Sequence, residues 1–327
     1  MRGFFLITTM LSKKTQRTSP VTEGMLESAL KETGLSTATT SRVDEYDQNE
    51  VYKVHLEGNT YFLKFFSNSL ADPDAGVNEI ETIKLLRSYG LPVPEIVQFH
   101  KSVLRNYAVY SAVRGSPLVQ QEVKSHTLQC MDLLENLSGI TSERFGYVHS
   151  KSDTFREYDL YDDYLNDVLY LALKRLDTEY DTLSMRKKLS ELFDVERKRK
   201  DFSFCHNDLN PRHTFWENGS LTGLIDFEGS FFGGRLVDVA SWVVALRETG
   251  NSPADVSPYI GYMVKKSNDL NTTKFYLARR FLISASWHNK RLERDIVRRE
   301  FVHLSKRIIC APTEESLDQV FADSSDG

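Results

Sequence analysis

Four side chains that can exchange protons or bind metal ions lie close together between residues 202 and 227. They are His206, Asp208, His213 and Asp226, and strongly apolar segments flank them on both sides. His213 follows Asp208 by five residues, and Asp226 follows it by eighteen. Carboxylates serve as general bases and as ligands of hard cations, and imidazole binds metals and donates hydrogen bonds. The cluster is therefore a candidate reactive site.

The elements around these side chains are predicted to be short strands. Two β-like runs are separated by Glu217-Asn218-Gly219-Ser220, and Asn-Gly is the strongest short signal for a hairpin turn. The second run, Leu221 to Phe227, is apolar apart from Asp226 near its end. The reactive side chains are thus expected at strand ends, where a stiff scaffold can hold them.

Composition limits the class of protein. The 327 residues suffice for two lobes, and contents of 40% apolar and 27% charged residues are typical of a globular protein. A net charge of −5 argues against a nucleic-acid binder. The three cysteines are an odd number without metal-ligand spacing, which favours a reducing cytoplasm. No run of about 18 apolar residues predicts a membrane span.

The N-terminus permits more than one interpretation. A short apolar run follows Arg2 and resembles a signal peptide, but Lys13-Lys14 follow at once and no cleavage site is visible. An upstream or non-native start, with Met10 or Met25 as alternatives, explains the segment equally well. Residues 1–20 are predicted to be loose.

Residues 21–110 predict a small lobe of antiparallel strands and helices. A helix is expected from Met25 to Thr33, with Thr22 as its cap, and period-two strands follow it. Lys64 interrupts the strand from Tyr61 to Phe66. From the strand alone two interpretations stay open, a buried lysine with a charged partner or an edge-strand lysine that opposes aggregation.

The small lobe also contains a predicted helix from Asp74 to Tyr89, and further strands follow it. Residues 111–117 break the regular pattern and are predicted to be a hinge between lobes.

The remainder of the chain is predicted to be mainly helical. Residues 118–315 carry helical periodicity around the polar hairpin, whereas residues 316–327 are acidic and are predicted to be a disordered tail.

The combination of motifs resembles the aminoglycoside phosphotransferase family. The motif His206-x-Asp208-x4-His213, followed by Ile225-Asp226-Phe227, is similar to the family's catalytic core, and both spacings match. Glu79 in a helix ending in Gly-Leu-Pro-Val-Pro matches as well, as does the later Val237-Asp238-Val239-Ala240-Ser241-Trp242. The resemblance implies an α+β, bilobal, protein-kinase-like fold with a small N-terminal antiparallel β lobe and a larger helical C-terminal lobe.

The resemblance also implies roles for individual residues. Asp208 would accept the proton of a substrate hydroxyl, and Asp226 and His213 would bind Mg²⁺. Lys64 would contact the phosphates of ATP or GTP and pair with Glu79, for which Glu81 is the alternative partner. Two further residues would support the loop rather than take part in chemistry, namely His206 and Asp238.

Two features depart from the family's usual pattern. Most members have Asn where this chain has His213, and imidazole is a softer ligand than an amide oxygen, so a degraded metal site is one interpretation. The 2″-aminoglycoside and macrolide branches, however, also carry His there. The expected phosphate loop, Asp47-Gln48-Asn49-Glu50, contains no glycine, so a cradle of backbone N–H groups is not evident.

The hinge and a predicted helical segment from Asp153 to Arg175, here called the insert, indicate which ligands the chain would bind. By resemblance, the backbones of Ser111 and Val113 would bind the purine edge, and Tyr110 would limit the depth of the purine pocket, which in the 2″-aminoglycoside branch accompanies GTP preference. Acidic residues of the insert would suit a polycationic acceptor, or would form a solvated helix face; these are Asp153, Glu157, Asp159, Asp162, Asp163 and Asp167.

Three functions stay open at this point. The first is a kinase for the hydroxyl of an antibiotic-like small molecule, and the second is a metabolic kinase for a sugar, amino alcohol or hydroxy amino acid. The third is a nucleotide-binding pseudokinase. In each case the expected protein is a monomer or homodimer that binds neither nucleic acid nor membrane.

Overall fold

The computed structural model describes residues 20–43, 49–66, 76–102, 105–148, 161–176, 180–192, 202–287 and 292–322. The chain divides into two compact units. The first comprises Met1–Tyr89 and Val93–Val113, and the second comprises Gly90–Pro92 and Arg114–Gly327. The division after Val113 falls inside the segment 111–117 that the sequence marks as a hinge.

The first unit contains a five-stranded antiparallel sheet. Its strands are β1 Thr39–Val43, β2 Glu50–Leu56, β3 Asn59–Phe65, β4 Ile96–His100 and β5 Tyr107–Ser111. The spatial order is β1-β2-β3-β5-β4. The fifth strand lies between β3 and β4. Since β3 is central, the interpretation of Lys64 as an edge-strand lysine is wrong.

One face of this sheet packs against the first helix, α1 Glu23–Glu32. The Thr22 hydroxyl accepts a hydrogen bond from the Met25 amide, as the sequence predicted for a helix cap. The core between helix and sheet consists of buried aliphatic and aromatic side chains, namely Ala29, Leu30, Leu35, Tyr52, Val54, Leu63, Phe65, Tyr107 and Val109. This burial of apolar surface stabilises the unit.

A second buried feature of this unit is an ion pair at the start of β2. Arg105 Nη1 lies 2.8 Å from Glu50 Oε1, and both side chains are almost fully buried. Glu50 also accepts a hydrogen bond from the Val21 amide. The last residue of the predicted phosphate loop therefore serves the interior of the unit, while Asp47 and Gln48 lie outside the described residues.

Helix α2, Val77–Ser88, completes the described part of the first unit. Gly76 precedes it with φ of 89°, and a Cβ there would lie 2.4 Å from the ring of Phe66. Glycine is required at this position because both the conformation and the space exclude a side chain. The backbone conformation at Gly76 directs the first helical turn of α2, which carries Glu79, into the interior of the unit.

The second unit is mainly helical. Its described helices are α3 Thr127–Gly139, α4 Tyr161–Leu176, α5 Thr182–Leu192, α6 Val237–Glu248, α7 Pro253–Ser267, α8 Leu270–Trp287, α9 Leu292–Cys310 and α10 Glu314–Ala322. Helix α8 packs against α4, α6, α7 and α9 and is buried over most of its length. Among the helices that the structure describes, none is both long and apolar enough to cross a membrane.

Short strands in the second unit form two three-stranded sheets. The strands are β6 Ser116–Pro117, β7 Thr141–Ser142, β8 Phe202–Cys205, β9 Thr214–Glu217, β10 Ser220–Leu224 and β11 Phe231–Gly233, in the orders β10-β9-β6 and β11-β8-β7. The predicted hairpin joins β9 to β10, with φ of 51° at Asn218 and 75° at Gly219. Positive φ at both positions is the geometry for which Asn-Gly is favoured.

The prediction of a disordered tail from residue 316 is wrong as far as Ala322, because α10 extends to that residue and buries Leu317, Val320 and Phe321. Helix α7 begins at Pro253, where a capping box formed by Ser252 and Asp255 initiates it.

Candidate active site

The first unit holds a buried lysine–glutamate pair. Lys64 Nζ lies 2.7 Å from Glu79 Oε2, and the side chains are 9% and 4% exposed. Alternation along β3 turns Lys64 inward, and α2 presents Glu79 from its first turn. Glu81, the alternative partner, is exposed and binds Lys84 instead. A close, buried pair of this kind compensates the cost of removing both charges from water.

The second unit holds a loop that begins where β8 ends. The side chain of Asp238, at the start of α6, accepts hydrogen bonds from two consecutive amides, those of His206 and Asn207, each at 2.8 Å. Asn207 adopts φ of 70°, a conformation that residues other than glycine rarely adopt. Asp238 thus holds a strained backbone in the conformation that presents Asp208.

His206 is fully buried beneath this loop. Its Nε2–H donates to the backbone oxygen of Ile225 at 2.9 Å, which ties the loop to the end of β10. Burial, together with a smaller effect of the nearby His213, lowers the pKa of His206 to about 4. His206 is therefore neutral at physiological pH, which suits a structural brace and not a proton carrier.

The pKa of Asp238 is shifted in the opposite direction. Burial raises the pKa of its carboxyl to about 6, although the two backbone amides that it accepts favour the ionised form. The guanidinium of Arg280 also favours ionisation. Asp238 is consequently ionised near neutral pH and can accept from both amides.

Asp208 and His213 are linked through a short helical turn, Pro211–His213. The Asn210 side chain caps this turn by accepting from the Arg212 amide at 3.0 Å, and its Nδ2 donates to the Asp208 backbone oxygen at 2.9 Å. His213 Nδ1 also lies 2.9 Å from that oxygen. When Nδ1 carries the proton and donates there, Nε2 presents a lone pair on the other side of the ring.

Three ligand atoms converge in the second unit. One atom from each of Asp208, His213 and Asp226 lies within 4.8 Å of the others. His213 Nε2 is 3.6 Å from Asp226 Oδ2, and Asp226 has φ of 69°. Two carboxylates and one imidazole fit a divalent cation, with the oxygens suited to Mg²⁺ and the nitrogen to softer ions.

Two side chains at this loop were not singled out from the sequence. Arg280, on α8, donates to the Asn207 backbone oxygen and to Asp208 Oδ1, both at 3.2 Å. Asn210 positions His213. Asn210 followed by Pro211 is a readable cap signal, and Arg279-Arg280 within an apolar helix is as unusual as Lys64 within an apolar strand.

The residues predicted to bind the purine lie at the end of β5 and just beyond it. Tyr110 is buried, whereas Ser111 and Val113 are half-buried. The Ser111 amide donates to the Glu95 backbone oxygen at 2.9 Å, and its hydroxyl accepts from the Glu95 amide. The amide and the hydroxyl of Ser111 are thus both engaged with the backbone of Glu95.

The chain matches a family model. The model is that of the phosphotransferase enzyme family, and it covers residues 42–264, more than half of the chain. None of the curated proteins compared with this chain matches it in sequence.

Solved structures resemble the whole fold. A thermostable mutant of aminoglycoside phosphotransferase APH(4)-Ia, in ternary complex with AMP-PNP and hygromycin B, superposes with a TM-score of 0.61 at 16% identity, over 92% of this chain and 99% of that chain. Plasmodium vivax ethanolamine kinase gives 0.57 at 14% identity, over 97% and 95%. ADP-bound aminoglycoside phosphotransferase APH(2'')-Ib gives 0.56 at 15% identity, over 88% and 99%. At these identities the likeness establishes the shared fold.

The fold therefore defines a kinase-like phosphotransferase, as the sequence predicted. The chain belongs to the phosphotransferase enzyme family. It is a small-molecule kinase, an enzyme that transfers a phosphoryl group to an alcohol acceptor.

Proposed function

We propose that this enzyme transfers the γ-phosphate of ATP or GTP to a hydroxyl group of an antibiotic-like small molecule. One observation carries the proposal. The exposed Asp208 carboxylate lies at the tip of a strained, fully braced loop, and its ligand atom clusters with those of His213 and Asp226. Phosphoryl transfer needs a carboxylate at the attacking hydroxyl and a cation on the phosphates, and this cluster supplies groups for both.

The roles follow from the chemistry of each group. Asp208 accepts the proton of the acceptor hydroxyl. His213 and Asp226 hold Mg²⁺, which, when bound, supplies neutralisation of the phosphate charge. His206 and Asp238 keep the loop in place, since both are buried and both bind backbone groups.

In the first unit, Lys64 is the phosphate-binding group and Glu79 fixes its position. An ammonium group held at 2.7 Å by a buried carboxylate has little freedom to reorient, so the geometry is set before the nucleotide arrives. The Lys64→Met variant removes the charge with little change of volume. We expect it to weaken nucleotide binding, measured by titration with a fluorescent nucleotide.

The donor nucleotide is ATP or GTP, and Tyr110 favours GTP. A large buried side chain before the purine-binding backbone of Ser111 and Val113 limits the depth available to the base. Competing titrations of ATP and GTP against the wild type and Tyr110→Ala test this, with the variant expected to gain activity with ATP relative to GTP. Strong ATP binding without GTP turnover would contradict the preference.

The acceptor is the least constrained partner. The comparison with a hygromycin B complex supports an aminocyclitol, and the comparable likeness to an ethanolamine kinase supports a metabolic amino alcohol as the second candidate. Of the acidic insert, Asp162, Asp163 and Asp167 lie on α4 and are at least partly accessible, whereas Asp153, Glu157 and Asp159 lie outside the described residues.

A substrate panel tests the proposal. Purified enzyme with Mg²⁺ and either nucleotide is assayed against aminoglycosides, macrolides, sugars and amino alcohols, with Asp208→Ala as control. Antibiotic turnover, together with resistance conferred on a susceptible host, supports the proposal, whereas turnover of a metabolite alone supports the second candidate. Nucleotide binding without Mg²⁺-dependent hydrolysis or transfer would favour the nucleotide-binding pseudokinase.

We infer a cytoplasmic location from the three cysteines, all of which are free.

A further inference from the structure

Arg280 reaches the catalytic loop from a different part of the second unit. It lies on α8, 72 residues from Asp208, and its side chain is 22% exposed. One terminal nitrogen, Nη1, donates to the Asn207 backbone oxygen, and the other, Nη2, donates to Asp208 Oδ1, both at 3.2 Å. The planar guanidinium therefore bridges the backbone and the carboxylate of adjacent residues.

These contacts complete a clamp around a strained peptide. Asp238 accepts the amide hydrogens of His206 and Asn207, and Arg280 binds the carbonyl oxygen of Asn207. Asn207, which has φ of 70°, is thus held by the Asp238 carboxylate at its amide and by the Arg280 guanidinium at its carbonyl oxygen. Each charge-assisted hydrogen bond is stronger than a neutral one, so the clamp opposes relaxation of the loop.

The third guanidinium nitrogen, Nε, also indicates that Arg280 serves the catalytic loop. Arg280 Nε is buried and has no hydrogen-bond partner among the described residues, so the contacts to the loop are what compensate its partial burial. The neighbouring Arg279 makes no such contact and lies over the ring of Tyr164. The bridge is specific to one arginine of the adjacent pair.

We propose that Arg280 is a positioning residue that fixes the rotamer of Asp208, an inference that rests on the proposed role of Asp208 as the base. Because Arg280 binds Oδ1, Oδ2 is the oxygen presented to the acceptor. The hydroxyl proton passes to Oδ2 while the hydroxyl oxygen bonds the γ-phosphorus and the bond to the nucleoside diphosphate breaks. A lysine can replace this function only in part, because its ammonium is a point charge without the planar fork that spans both acceptors.

The test compares Arg280→Met, Arg280→Lys and Arg280→Gly with the control Arg299→Met, an exposed arginine on α9 that pairs with Asp295. Mg²⁺-dependent nucleotide turnover is measured for each. We expect kcat of Arg280→Met to fall about a hundredfold, since misplacement of a catalytic group by about 1 Å has this effect. The KM for nucleotide should stay within about threefold. Arg280→Lys should be intermediate, and added guanidinium should raise the turnover of Arg280→Gly.

Three outcomes would overturn the proposal. These are an unchanged kcat in folded Arg280→Met, a nucleotide KM that rises as much as kcat falls, and a Gly variant whose turnover guanidinium does not change. Failure of the proposed function is separate, since it would appear as a wild type without turnover. In that case, amide hydrogen exchange of the segment 205–213 tests the role of Arg280 independently of the reaction. We expect Arg280→Met to accelerate exchange in this segment, and unchanged exchange would contradict the clamp.

Discussion

The two units hold charged clusters of opposite design. Lys64 and Glu79 in the first unit form a closed pair whose side chains are less than 10% exposed. In the second unit, the side chains of Asp208 and Asp226 are 57% and 42% exposed, and His213 and Arg280 are their neighbours. The first cluster pairs one buried ammonium with one buried carboxylate, whereas the second combines two exposed carboxylates with one permanent cation.

This difference shows how burial relates to task. A buried ammonium must have its counter-charge in place before any ligand binds, so the pair is preformed. The exposed carboxylates keep their solvation, and a cation and a hydroxyl can approach them with little reorganisation. Loss of a partner should therefore lower stability in the first unit and lower turnover in the second.

The largest effect is expected at Asp208. Asp208→Asn keeps the size of the side chain but removes the base, so we expect Mg²⁺-dependent turnover to fall by a factor of about 10² to 10⁴. The unfolding midpoint in urea should not change, since the side chain is exposed. Asp132→Asn, an exposed acid on α3, is the control. Equal turnover in both variants would contradict the role of Asp208.

The buried pair should respond in stability. Glu79→Leu leaves the Lys64 ammonium buried without its carboxylate, and we expect a loss of about 3–5 kcal/mol in the free energy of unfolding. The double variant Lys64→Met/Glu79→Leu removes both charges and should recover most of that loss while staying inactive. Urea unfolding measures this double-mutant cycle. A double variant as unstable as Glu79→Leu would show that packing, and not charge pairing, holds the pair.

The third prediction concerns pH. The pKa of His206 is lowered from 6.5 to about 4, so the unfolded chain binds a proton more readily than the folded one, and stability falls as pH drops from 6.5 to 4. The full contribution is about 3 kcal/mol. Asp238, raised from 3.8 to about 6, acts in the opposite sense, because its stabilisation is lost as pH rises through 6.

The His206 contribution is therefore read from the difference between the wild type and His206→Gln. A glutamine can still donate to the Ile225 oxygen but does not titrate. Urea midpoints of both proteins are measured at several pH values between 4 and 7. The wild type should lose stability relative to His206→Gln as the pH falls, so the two midpoints should converge at acidic pH. Parallel curves would indicate that His206 does not titrate differently in the folded and unfolded states.

The smallest effect is expected at His213, the proposed metal ligand. His213→Asn replaces a nitrogen ligand by an amide oxygen, which Mg²⁺ prefers. We expect the ratio of activity with Mn²⁺ to activity with Mg²⁺ to fall by roughly threefold to tenfold. Metal titrations of turnover measure the ratio, with Asn210 left unchanged so that the turn is kept. An unchanged ratio would argue that His213 does not touch the metal.

Much of the fold was readable because local signals agree with it. Asn218-Gly219 specifies its own turn, Thr22 caps its own helix, and periodicity locates the ends of α1 and α2 within a turn. The order of β4 and β5 was not readable, because strand pairing is a long-range choice that the local pattern does not encode. The last helix, α10, was missed because its acidic surroundings suggested disorder, although three of its apolar side chains are buried.

The sequence by itself determined which residues are candidates for the chemistry. The spacing of His206, Asp208, His213 and Asp226 is a local property of one loop and one hairpin. Tertiary structure decided what those residues touch. It placed Lys64 on a central strand beside Glu79, and it brought Arg280 to Asp208 across 72 residues. Contacts of this kind depend on how helices and strands pack, and no spacing along the chain specifies them.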